Sequence, residues 1–163
     1  MYTHPLTFWT SKIFYQKKIP IILEKPAAKN NSEIKKLINL SKKYRSTVLV
    51  NHSDLFNENF KFLYSKIKLI GKIKFIDAKF GKFNGNYKDR KHLPLYDWLP
   101  HPLAVILTII KKVKKIKTLK DEVYFKKKGI FQNTILSFYK SNIINGKIHF
   151  SNRIMKKKRQ III

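Results

Sequence analysis

Apolar and polar positions divide the chain into two kinds of pattern. Residues 5–17 carry apolar positions at helical spacing, and "IPIIL" (Ile19–Leu23) follows as a short β-branched run. A run of that kind suits a strand buried on both faces, as strands in parallel sheets are. In "KNNSEIKKLINLSKKYRS", Asn30 stands three residues before Glu33, the spacing of a capping box. An apolar helix face of Ile34, Leu37, Ile38 and Leu40 comes after it. "TVLVNH" is a second buried-strand run. Strand, helix and strand from Ile19 to Asn51 make a βαβ unit, which requires parallel strands and a right-handed crossover.

Beyond Asn51 the pattern changes. Asn57 can cap a helix over "ENFKFLYSKIK". "GKIKFIDAKFGKF" has an imperfect period of two, with Ile73 and Phe75 on one face opposed to Lys72, Lys74 and Asp77. An irregular stretch, residues 84–94, leads to "LYDWLPHPLAVILTII". Pro100 and Pro102 suit a helix start rather than a helix interior, so the helix is predicted over about Leu103–Ile110. "KIKTLKDEVYFKK", "IFQNTILSFYK", "GKIHFSNRIM" and "RQIII" read as strands, the last as a strand inside a sheet. Short turns are predicted at Gly129 and at Asn145-Gly146, the latter a favoured hairpin pair. The element order is that of the end of a parallel α/β unit followed by a mostly antiparallel sheet.

The 163 residues suffice for one domain or parts of two. With 44% hydrophobic and 13% aromatic residues there is material for a core, which excludes wholesale disorder. The formal charge of +27 would point to nucleic acid or an anionic surface. Nearly all the cations are Lys, however, and the only arginines are Arg45, Arg90, Arg153 and Arg159. Arg is the residue that reads bases and forks phosphates. The excess is spread along the chain beside abundant Ile, Asn, Phe and Tyr, as an AT-rich coding bias produces. No specific nucleic-acid partner is expected. There is no Cys, hence no disulfide and no thiolate metal site. The N-terminus lacks the features of a signal peptide, and the longest apolar run, Leu103–Ile110, is too short to span a bilayer. The expected compartment is the cytoplasm, with no membrane partner.

In parallel α/β sheets ligands gather at the carboxyl ends of the strands. The first strand delivers Glu24, Lys25 and Pro26 there, and the second delivers Asn51 and His52 on the same edge. Asp97 and His101, four apart, share one face if their segment is helical. Singly, each group has a plain structural reading: a surface turn, a hydrogen-bonding loop histidine, a salt bridge at a helix start. The five histidines form no metal-ligand cluster with carboxylates, so no metal is expected. No Ser or Cys stands in a nucleophile elbow.

Taken in order, "IPIILEKPAA", "TVLVNHSDLFNENFKFL", "GKIKFIDAKFG" and "LYDWLPHPLAVIL" resemble the Gfo/Idh/MocA family, the relatives of glucose–fructose oxidoreductase and inositol dehydrogenase. The resemblance runs over nearly the whole chain. It implies NAD- or NADP-dependent oxidation or reduction of a sugar, sugar nucleotide or cyclitol. The implied fold is α/β: the C-terminal part of a Rossmann-type parallel sheet (residues 1–52), then an α+β domain with an open, mostly antiparallel sheet (residues 53–163). It further implies that Lys25 lies between nicotinamide and substrate, often followed by a cis proline peptide. Glu24 and Pro26 flank it on the cofactor side. His101 is implied as the general acid/base and Asp97 as the acid that orients and charge-balances His101 or Lys25. Asn51 and His52 are candidates for substrate binding. Relatives commonly pair through the open sheet, so a homo-oligomer is expected. The chain departs from the family in three respects. It has no G-x-G-x-x-G, so the phosphate-binding half of the Rossmann domain is expected to be missing and the chain alone to be inactive. Its last strand reads as an interrupted sheet. Pro102 stands where relatives usually carry an acid. A non-catalytic assembly subunit, or a Lys-rich binder of nucleic acid or anionic surfaces, are the other function classes compatible with the sequence.

Overall fold

A computed structural model describes residues 13–28, 30–82, 94–126, 129–139 and 144–163. They fall into two compact units, Met1–His52 and Ser53–Ile163.

The first unit is built on strands β1 (Ile21–Glu24) and β2 (Val48–Asn51) with helix α1 (Asn31–Tyr44) between them. The strands are parallel and in register from Ile21↔Val48 to Glu24↔Asn51, as a βαβ crossover requires. Asn30 starts α1 from an extended backbone, its side chain accepting the Glu33 N–H at 3.0 Å. Arg45 ends it in a left-handed conformation (φ 51°, ψ 39°), where its N–H reaches the Lys42 and Ser41 carbonyls. Tyr15, Leu23 and Leu37 are buried together, with Ile21, Leu40, Tyr44 and Val48 packed against them. Buried Ser46 ties the crossover down by donating from its hydroxyl to the Ile19 carbonyl at 2.8 Å. The opposite face of the strand pair carries Ile22 and Leu49, 71% and 47% exposed. Of the helix predicted over 5–17, the described part is helical over 13–16, and the remainder lies outside the described residues.

The second unit opens with a 3-10 turn (Ser53–Phe56) and helix α2 (Glu58–Lys66), which Asn57 caps by accepting the Asn59 N–H at 2.9 Å. Then come β3 (Ile76–Gly81), α3 (Pro94–Trp98), α4 (Pro100–Ile110), β4 (Lys115–Lys126), β5 (Gly129–Tyr139), β6 (Ile144–Ser151) and β7 (Lys158–Ile162). The sheet runs β4-β5-β6-β3-β7, antiparallel except for the parallel β3–β6 pair. The open, mostly antiparallel sheet and the small parallel sheet together are the predicted α/β fold. Ile76, Ala78 and Phe80 of β3, Leu136 and Phe138 of β5, and Ile148 and Phe150 of β6 form the buried face, against Trp98 and Ile106.

Four details differ from expectation. In β3 the buried set is Ile76, Ala78 and Phe80, while Phe75 precedes the strand and is exposed. With a period of two, starting one residue later moves the whole apolar set to the other phase. Helix α4 begins at Pro100, with Pro100 and Pro102 in its first turn, where a missing N–H costs nothing. Asn145-Gly146 is not a turn. Gly146 lies within β6, opposite Phe138 on one side and Ile76 on the other. A Cβ there would collide with the Ile76 carbonyl oxygen and the Phe138 ring, so close approach, not turn geometry, selects the glycine. Among the described residues β7 is an edge strand rather than an interior one.

Candidate active site

In the first unit the parallel register brings the carboxyl ends of β1 and β2 side by side. Glu24 and Asn51 are register partners there, and Asn51 Nδ2 donates to Glu24 Oε1 at 2.7 Å. Lys25 and Pro26 follow Glu24 directly and are half-buried; the peptide between them is cis, the form the resemblance implies. His52, also half-buried, follows Asn51. The sequence-derived candidates of this unit therefore stand on one sheet edge, where parallel sheets present ligand-binding groups.

In the second unit His101 is the second residue of α4 and is 8% exposed. Asp97, half-buried, stands one helical turn earlier in α3. Leu99 joins the two helices without leaving the helical region (φ −63°, ψ −38°). The group on His101 Nδ1 is Asp54 Oδ2, from the 3-10 turn. The other carboxylate oxygen, Oδ1, accepts from Arg159 Nη1 of β7 at 3.2 Å. The Arg159 guanidinium lies 6.0 Å from the Trp98 ring centroid, and the Trp98 and His101 rings are 6.3 Å apart. Burial pushes the Asp54 carboxyl up. The hydrogen bond and charge of His101, then the charge of Arg159, outweigh this and hold the carboxyl below its usual range.

The sheet holds the first turn of α3. Gln132 of β5 accepts the Leu95 N–H on its Oε1 at 2.9 Å. Gln132 is itself held: its Nε2 donates to Asp121 Oδ1 at 3.2 Å, and its own N–H donates to Asn152 Oδ1 at 2.9 Å. Asp121 also accepts the Thr134 hydroxyl. With Gln132, Thr134 and Asn152 buried, every link of this network is needed to offset desolvation. Away from it, His149 Nε2 on the sheet's other face pairs with Asn133 Oδ1 at 2.7 Å. Burial first, then Lys79 and Lys120, lower its pKa against an opposing push from Asp77.

Sequence reasoning missed Asp54, Arg159 and Gln132. The one signal for Asp54 was scarcity: it is one of nine acids in the chain and stands two residues after His52. Among the described residues no group of three or more His, Cys, Asp or Glu side chains could hold a metal ion. No helix among them is long and apolar enough to cross a membrane.

No protein-family model and no curated protein matches this chain. Solved structures do. A protein assigned as an oxidoreductase from Magnetospirillum magnetotacticum superposes with a TM-score of 0.83 at 19% identity, over 97% of this chain and 51% of its own. Biliverdin reductase from Synechocystis, solved with biliverdin and NADP+, gives 0.82 at 12% identity, over 97% and 53%. UDP-N-acetylglucosamine 3-dehydrogenase from Acidithiobacillus ferrooxidans gives 0.76 at 13% identity, over 99% and 52%. The chain thus shares the fold of these oxidoreductases. The chain spans about half the length of the solved structures it matches.

Proposed function

We propose that this chain is part of an NAD(P)-dependent oxidoreductase that moves a hydride between the nicotinamide and a hydroxyl-bearing carbon of a sugar, sugar nucleotide or cyclitol. The observation that carries this reading is the fold shared with oxidoreductases over 97% of the chain. One neighbour was solved with NADP+ and another acts on a sugar nucleotide, which supports both the cofactor and the substrate class.

The residues present fit one end of such a dinucleotide. Lys25 and Pro26 at a parallel strand end suit the nicotinamide side, while none of the five glycines forms a G-x-G-x-x-G cradle for the pyrophosphate. When bound, the dinucleotide accepts or supplies the hydride. The chain's own groups do the rest. His101 takes the hydroxyl proton, or returns it in the reverse direction, since an imidazole ring nitrogen can both accept and donate a proton. The Lys25 ammonium stabilises negative charge on the substrate oxygen. Asp97, one helical turn before His101, is the acid that the family resemblance assigns to orienting and charge-balancing Lys25 or His101. Asn51 and His52 offer hydrogen bonds to substrate hydroxyls, with Glu24 steadying Asn51. In the working protein the open sheet face pairs with a second copy, and the compartment is the cytoplasm.

The test is His101→Ala in the protein completed by a glycine-rich nucleotide-binding half. Turnover should fall about 10²-fold or more, with the dissociation constant for NAD(P)H unchanged. Normal turnover in that variant would refute the assignment.

A further inference from the structure

We infer that Asp54 is the positioning residue of His101: it holds Nδ1, so that Nε2 is the ring nitrogen that exchanges the proton, and Arg159 anchors the carboxylate. This rests on the reading of His101 as the proton-transfer group.

The chemistry follows from the partners. An ionised carboxylate only accepts hydrogen bonds, so the Asp54–His101 contact requires the hydrogen on Nδ1. A neutral imidazole carries one hydrogen, which leaves the lone pair on Nε2. The free side chain prefers the other tautomer, with hydrogen on Nε2. Asp54 therefore reverses the intrinsic preference and fixes the ring orientation. Asp54 is kept ionised in this role, its carboxyl being held below the usual range. Water competes weakly, because the side chains of His101 and Asp54 are only 9% and 16% exposed. Arg159, 40% exposed, forms the wetter end and occupies the oxygen that His101 does not use. Three segments remote in sequence, the 3-10 turn, α4 and β7, meet in this chain of contacts.

The test is to measure the His101 tautomer in the 163-residue chain by long-range 1H–15N correlation, above the pH at which its imidazole deprotonates. His101→Gln identifies the signal. The wild type should show Nδ1 protonated and Nε2 bare. Asp54→Ala should invert the pattern to Nε2–H, and Asp54→Glu should restore it. If Asp54→Ala does not fold, Asp54→Asn serves, with both tautomers populated as the expected result. A wild type that carries Nε2–H, or an Asp54→Ala or Asp54→Asn chain that keeps Nδ1–H alone, overturns the inference. The readout needs no turnover. An inverted tautomer beside full activity of His101→Ala in the completed protein would retain Asp54's hold on the ring and discard the oxidoreductase role.

Discussion

His101 stands in the first turn of a helix that begins with proline, and its Nδ1 is bound to an acid 47 residues earlier in the chain. The placement of His101 at a helix entry was legible because Pro100 and Pro102 in "DWLPHP" are helix-start signals. Its partner was not, because spacing rules report neighbours within a helix turn and Asp54 arrives through tertiary folding. The same reason hid Arg159, 105 residues from Asp54. The Asp54 pair also sets a pH dependence. Its folded carboxyl titrates below the usual range, so the unfolded chain binds the proton more readily. The stabilisation is complete above the unfolded value of about 4 and is lost as the pH falls through the lower folded value. Urea midpoints measured from about pH 5 downwards should therefore decline in the wild type. Asp54→Asn should lower the midpoint near pH 5 and flatten that decline. An unchanged slope in the variant would show that other carboxylates carry the acid sensitivity.

Elements were read best where one local signal decides them. Asn30 fixes the start of α1 by its cap, and the β-branched runs fix β1 and β2 as a parallel pair. Misreadings arose where two signals of similar weight compete. In "GKIKFIDAKFG" both phases of the alternation contain apolar residues, and only pairing with β6 selects Ile76, Ala78 and Phe80 for the core. "NG" is a hairpin signal, yet Gly146 pairs with Phe138 and Ile76 inside β6. Packing density, invisible in the sequence, made the choice there. Gly146→Ala should consequently destabilise the second unit by about 1–3 kcal/mol, the usual cost of overpacking. The change should appear as faster amide exchange in β3, β5 and β6. A variant as protected as the wild type would mean that the β3–β6 spacing yields to a methyl group without cost.

At the scale of the whole molecule, the charge of +27 was the loudest feature of the sequence and had the least to do with its fold. The order of short apolar runs bears on the fold more directly, and that fold superposes on an oxidoreductase over 97% of the chain. The first unit nevertheless differs from a complete nucleotide-binding sheet in physical terms. Parallel strands are ordinarily covered on both faces, and here the Ile22 and Leu49 face remains largely in water. Among the described residues, two strands and their crossover helix supply strand-end side chains, but this sequence contains no glycine-rich turn from which backbone N–H groups could hold a pyrophosphate. Most of a dinucleotide's charge lies at those phosphates. The scattered lysines offer attraction without geometry, and such attraction fades with salt. The 163-residue chain by itself should thus bind NADH or NADPH with a dissociation constant above about 1 mM, weaker than about −4 kcal/mol. What binding there is should fall further as salt rises. Fluorescence titration giving a micromolar, salt-insensitive constant would show that Lys25 and its strand-end neighbours hold the nucleotide without a phosphate cradle.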